Sequence, residues 1–275
     1  DPEGLMMRFD PSREIRDGAE PVFVGRAAAT SLSVTELFRL HEAEAHFKGM
    51  AAEPPALPVA QAIAALHTSD ERVKGWREWA MALARQGKGI APQPIGEWPA
   101  PFTAVGLALL AGRPSPTPWQ ELARAKVWPF QSAQDITAWL DGQWLESHVY
   151  HLVRGLSQSL ELTDVQQDVV GQFKGYKIQA DVALTRGYQL LFISCYSGAS
   201  TPAATQKLLE AVVRARQVGG DEAGAALVSM VNDAKAIEND VRIAAREARI
   251  RVFGLSDFPR LEDSLRDWIR KGMPQ

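Results

Sequence analysis

A carboxylate on the apolar stripe of a helix is the first residue in this sequence whose placement asks for chemistry. In "WLDGQWLESHVYHLVRGL", residues 139–156, Glu146 shares a helical face with Val149, Tyr150 and Val153, at spacings of three, four and seven. A carboxylate that points inward is costly unless it meets a cation or hydrogen-bond donors. Its place in the first helical turn, where negative charge is favourable, is the other reading of the same residue. His148 and His151 stand beside it at a spacing of three, compatible with a metal pair on a helix. No third ligand is apparent in the sequence, and partly exposed helical histidines are the favoured reading.

A second acid lies in "YKIQADVALTRGYQLLFISCYSG", residues 176–198, which reads as two strands joined by a tight turn. Alternation puts Gln179, Asp181, Ala183 and Thr185 on one face and Ile178, Ala180, Val182 and Leu184 on the other, toward the core. Asp181 therefore falls on the more polar face, where a site can form. On the second strand Ser194 and Tyr196 share a face, opposite Leu191, Ile193 and Cys195. The C-terminal arginines are a third candidate. Arg242, Arg246 and Arg249 are spaced by four and three, as on one helix face, and such a face can contact phosphate. Glu238 and Glu247 dilute it, so a salt-bridged, solvated face is the other reading of the same residues. Trp76, Trp79, Trp139 and Trp144 sit at helical apolar spacing and read as core rather than as base-stacking platforms.

The elements that must position these residues are legible in outline. Ser33 and Glu36 form a capping box ahead of a helix through "LFRLHEAEAHF", "AAEPPALP" breaks the pattern, and "VAQAIAAL" and "RVKGWREWAMALAR" read as two helices. Residues 86–118 are rich in Pro and Gly and make the best linker, with a short helix after Pro118. Beyond it, "LELTDVQQDVVGQFKG" supplies a strand ahead of the hairpin. A helix starting near Pro202, a buried strand "AGAALVSM", the helix "DAKAIENDVRIAAREARI", a short strand "RVFGLSDF" and a closing helix follow. The expected architecture is mixed α/β with a central sheet.

Composition limits the function classes. The 275 residues carry a net charge of −3, which gives no global push toward nucleic acid or anionic membrane, so any nucleic-acid surface is a local patch. One cysteine, Cys195, excludes an internal disulfide and fits a reducing cytoplasm. There is no run of about 18 apolar residues to span a bilayer. The opening strand–turn–strand of residues 1–30 reads as the tail of a preceding domain in a longer chain.

Four segments, "DGQWLESHVY", "IQADVALTR", "ISCYSG" and "QKLLEAVVRARQVGG" with "AALVS", resemble in order and spacing the restriction-endonuclease-like, PD-(D/E)XK-type domain of CRISPR-associated ancillary nucleases that carry a CARF sensor. The opening "DPEGLMMRF" is similar to the end of such a sensor. The resemblance implies a restriction-endonuclease-like mixed sheet flanked by helices in 119–275, preceded by a small, mainly helical region in 31–118 and a CARF-like tail in 1–30. It implies carboxylates holding Mg²⁺ or Mn²⁺, a metal that activates water and offsets charge on phosphate, and a lysine that orients or deprotonates the water. Glu146 and Asp181 match. Ser194 stands where the family has glutamate, Tyr196 where it has lysine, and Gln179 replaces a second acid. A serine hydroxyl is a weak neutral ligand, and a phenol with a pKa of about 10 carries no positive charge at neutral pH. Metal at Glu146 and Asp181 is thus weak if present, and the losses cost several orders of magnitude in rate. Lys207 on the next helix, and Lys174 and Lys177 before the hairpin, are the cations that could swing in.

The expected function is therefore a catalytically degenerate nuclease-like domain, serving as a nucleic-acid-binding, dimerisation or regulatory module of a CARF-type effector. An active metal-dependent DNA or RNA endonuclease with a rearranged site is one alternative, and a protein–protein scaffold another. Lys207, Arg242, Arg246 and Arg249 are the expected nucleic-acid contacts. The resemblance implies a homodimer, and cyclic oligoadenylate binding only through a CARF domain mostly missing from these residues.

Overall fold

The structure, a computed structural model, describes residues 31–41, 44–47, 56–67, 69–86, 139–173, 175–198, 200–245 and 248–271. The expected CARF-like tail, nearly all of the Pro/Gly-rich linker, the short helix after Pro118, Lys174 and Arg246 lie outside the described residues.

Among the described residues six strands form one sheet in chain order: β1 (Glu44–Phe47), β2 (Asp164–Phe173), β3 (Tyr176–Arg186), β4 (Gln189–Tyr196), β5 (Gly224–Ser229) and β6 (Arg249–Phe253). The pairs from β1 to β4 are antiparallel. Those from β4 to β6 are parallel, so each needs a crossover. Helix α5 (Thr201–Gly219) makes the first and α6 (Ala234–Ala244) the second. Local sequence fixes their ends. The Ser200 side chain caps α5 with Pro202 in the first turn, and Gly220 closes it at φ +67°; Asp233 caps α6 by accepting from the Ala236 N–H.

Both sheet faces are covered along residues 181–185 of the hairpin, all of them buried, whereas Lys177 and Gln179 nearer its start stay exposed. One core joins Ile63 and Trp76 of α2 (Ala56–Leu66) and α3 (Asp70–Gln86), Trp144, Val149 and Val153 of α4 (Trp144–Gly155), Leu265 and Ile269 of α7 (Leu261–Lys271), and Val182, Leu184 and Ile193 of the sheet. The other joins Phe38 of α1 (Val34–Leu40), Leu208 and Val212 of α5, and Ile237 of α6 to Ile178, Phe192 and Leu227. Among the described residues no helix is long and apolar enough to cross a membrane.

Three expectations need correcting. The capping box of Ser33 and Glu36 is present, but the helix stops at Leu40, and Glu44–Phe47 becomes edge strand β1 against Val169–Gln172. The described part of 31–118 is also not a separate helical unit, because α1 and α2–α3 complete the two cores of the sheet. Lastly, strict alternation fails in β2 and β3. Val182 and Leu184 pack toward α4 while Ile178 and Ala180 pack toward α5, although all four should share a face. In β2, Val165 and Val169 divide in the same way. The register is unchanged on either side of the switch, with Gln167 opposite Val182 and Val169 opposite Ala180. Asp168 and Asp181 thus face each other at the step where both strands turn over. Asp168 adopts φ +48° there, the left-handed region that aspartate tolerates better than most residues.

Candidate functional site

The same step opens a crevice in the sheet. Pairing of β3 with β4 ends at Val182 and Ile193, while β4 continues beside β5 to Tyr196 and Ser229. Asp181 sits where the strands part and is only 6% exposed. Its Oδ2 accepts a hydrogen bond from the Cys195 backbone N–H at 2.6 Å and another from the Ser194 hydroxyl at 3.1 Å. From α5, Lys207 places Nζ 3.8 Å from the same oxygen and donates to the Cys195 carbonyl at 3.0 Å. Lys207 lies one position before buried Leu208 and three after buried Ala204, so its stem leaves the edge of the buried face and its head reaches the crevice.

Glu146 approaches from the other side of the sheet, on α4. Burial first, and then the Asp181 charge, raise its carboxyl to about 8, with Lys207 opposing and Asp168 adding. Glu146 is therefore protonated at neutral pH. A cleft of about 300 Å³ on this side is lined by Gln143, Glu146, Gln167, Asp168, Lys177 and Gln179. On the α5 side a smaller one, about 160 Å³, is lined by Gln179, Asp181, Ser194, Lys207 and Glu210. Gln179 borders both.

Tyr196 packs against the α5-side core. Its phenol end and the Arg77 guanidinium from α3 both close on Gly198, so tightly that a β-carbon there would collide with each. His148 is buried rather than partly exposed, at 7%. Burial, and then His151, lower its imidazole to about 4, and its Nδ1 is buried without a hydrogen-bond partner. Cys195 is a buried thiol held well above its usual range by that burial.

The expected arginine face does not form. Arg249 belongs to β6, not to α6. It stacks over Trp268 at 5.6 Å and donates to the Trp268 and Ile269 carbonyls at 3.3 and 3.5 Å. Arg242 donates to Glu238 and to the Ile250 carbonyl, each at 2.9 Å. These two guanidinium groups tie helices to the last strand. Arg246 lies outside the described residues.

The structure thus brings Glu146, Asp181, Ser194 and Lys207 to one crevice, adds Asp168 on its α4 side, and sets Arg77 against Gly198 beside the Tyr196 phenol. Asp168 had a signal: a turn at Gly175 pairs Phe173 with Tyr176, which carried back along the hairpin sets Asp168 opposite Asp181. Arg77 had none, since its approach depends on how α3 docks.

A divalent cation does not suit these donors. Among the described residues no three His, Cys, Asp or Glu side chains are grouped to hold a metal ion. The Asp181 Oδ2 is engaged by Ser194, Cys195 and Lys207.

A mixed sheet that parts around a buried aspartate, with a glutamate entering from a helix, has the build of a restriction-endonuclease-like domain. The chain belongs to the family of Card1-like endonuclease domains, whose model matches residues 133–272, just over half of the sequence. The family match supports the CRISPR-associated nuclease resemblance carried by the sequence motifs. Two solved structures share the fold. Protein VC1899 from Vibrio cholerae aligns with a TM-score of 0.61 at 16% identity, over 89% of this chain and 63% of that one. Can2 from Sulfobacillus thermosulfidooxidans, in complex with cyclic tetra-adenylate, aligns with a TM-score of 0.57 at 14% identity, over 86% of this chain and 59% of that one. The chain therefore spans about three-fifths of the length of each. No curated protein matches the sequence.

Proposed function

We propose that this chain is the nuclease-like part of a CRISPR-associated effector whose cutting site has become an internal polar contact, leaving a module that binds nucleic acid without cleaving it. The observation that carries this reading is the state of Asp181. Its Oδ2 accepts from Ser194 and Cys195 and lies 3.8 Å from the Lys207 ammonium, so internal donors engage the carboxylate with which a hydrolytic site would order a metal and a water. Ser194 supports it further, since its hydroxyl serves Asp181 in place of the family's second carboxylate. Lys177 and Lys207, on the two clefts at Gln179, are the proposed phosphate contacts. In this reading the effector is a cytoplasmic homodimer, and cyclic oligoadenylate acts through a CARF sensor rather than at the crevice.

The test is incubation of the purified chain with single- and double-stranded DNA and RNA in Mg²⁺ or Mn²⁺. The expected result is no cleavage, with binding that weakens as salt rises. Cleavage that Asp181→Ala abolishes overturns the reading and establishes the alternative, an active nuclease rearranged around Glu146, Asp181 and Lys207. Ancestry is tested by Ser194→Glu combined with Tyr196→Lys, expected to restore metal-dependent cleavage from an undetectable level.

A further inference from the structure

We infer that the ammonium group of Lys207 stands in for a divalent cation, so that the crevice holds together without metal. The inference rests on the reading of the site as non-hydrolytic and says what replaced the hydrolytic arrangement.

Beyond Val182 and Ile193, β3 no longer pairs with β4. The N–H and C=O of one strand residue point to the same side, and successive residues alternate. Tyr196 directs its carbonyl away from β3, accepting from the Met230 N–H at 3.2 Å. Cys195 therefore presents both its backbone groups toward the departed β3, and buried backbone groups require partners. Asp181 takes the N–H at 2.6 Å and Lys207 takes the C=O at 3.0 Å. The ring closes through the 3.8 Å approach of Lys207 Nζ to Asp181 Oδ2. Two side chains thus replace the missing rungs of the ladder.

The charge is as specific as the geometry. A carboxylate as buried as Asp181 is costly without a counter-charge. The two oxygens that Lys207 meets, a carboxylate and a main-chain carbonyl, are the ligand types that hard cations take. An ammonium seated on both satisfies them and repels a second positive charge.

The experiment is thermal unfolding of the whole chain in EDTA and in millimolar Mn²⁺, for the wild type, Lys207→Met and Lys207→Arg. Methionine keeps the stem and removes the charge; arginine keeps the charge. The wild type is expected to melt at one temperature in both solutions. Lys207→Met is expected to melt roughly 5 °C lower in EDTA and to regain about half of that loss in Mn²⁺, because the freed oxygens then accept the ion. Lys207→Arg is expected to stay near the wild type and to ignore Mn²⁺.

A wild-type melting temperature raised by Mn²⁺ overturns the inference, and that arm needs no variant to fold. So does a methionine variant as stable as the wild type, one that is destabilised but unmoved by Mn²⁺, or an arginine variant that melts as low as the methionine one. Cleavage assays on the same preparations separate the two readings. Cleavage with unshifted melting removes the non-hydrolytic reading and the inference that rests on it, while metal-raised melting without cleavage removes only the role of Lys207.

Discussion

Glu146 shows how one side chain can keep a family's position and lose its charge. Its carboxyl titrates at about 8 in the folded protein, pushed up by burial and by Asp181, against about 4.3 in an unfolded chain. A raised folded value means that the group's contribution to stability is fully present below the unfolded value and is lost as pH rises through about 8. Glu146→Gln, which keeps the shape and never ionises, is therefore expected to melt with the wild type near pH 5 and several degrees above it near pH 8.5. Equal melting temperatures at both pH values would mean that the carboxyl ionises normally. The sequence exposed the inward face of Glu146 through its spacing to Val149 and Val153, both fully buried. It could not expose the proton, which depends on Asp181 and Asp168 arriving from other strands.

Helix α4 makes the opposite demand through its histidine. His148 on α4 and His67 just past α2 are 7% and 2% exposed, and burial lowers each imidazole to about 4. The His67 ring also lies 4.9 Å from that of Trp144, and its Nδ1 is 2.7 Å from the Ile63 carbonyl. With folded values depressed below an unfolded value of about 6.5, the stability is present above that value and is lost as pH falls toward 4. Two such groups outweigh the opposing slope from Glu146 in that window. Stability is expected to peak near pH 6.5 and to fall by a few kcal/mol on the acid side. Urea unfolding between pH 4.5 and 7 reads this directly: His148→Gln should remove up to one proton from the slope, and an unchanged slope would refute the assignment. At this scale the caps, the hairpin and the crossover helices were legible in the sequence, because those are local. It hid β1, since "EAHF" becomes a strand only beside Val169–Gln172. It also hid the turnover at Asp168 and Asp181, because a period of two assumes that a strand keeps its faces.

For the molecule as a whole, the sequence assigns residues 31–118 to a mainly helical region ahead of the nuclease-like sheet. Phe38 ties the described start of that region, α1, into the core of the sheet. It is fully buried, its ring lies 6.3 Å from that of Phe192 in the central strand β4, and the Val34 N–H beside it donates to Asp164 of β2 at 3.0 Å. Removing a buried phenylalanine ring costs about 3–5 kcal/mol. In a molecule with shared cores that loss must appear in the unfolding of the entire sheet. Phe38→Ala is thus expected to keep one cooperative transition among the described elements and to lower it by roughly 10 °C. Amide exchange in β4 around Phe192 should speed up with it. If residues 31–47 were an independent unit, the variant would instead lose a minor early transition, while exchange in β4 stayed at the wild-type rate. The shared core also links this face to the crevice, because Phe192 is followed two residues later by Ser194, the donor to Asp181. Loosening α1 is therefore expected to weaken nucleic-acid binding along with stability, whereas Lys207→Met acts at the crevice and leaves exchange near Phe38 unchanged.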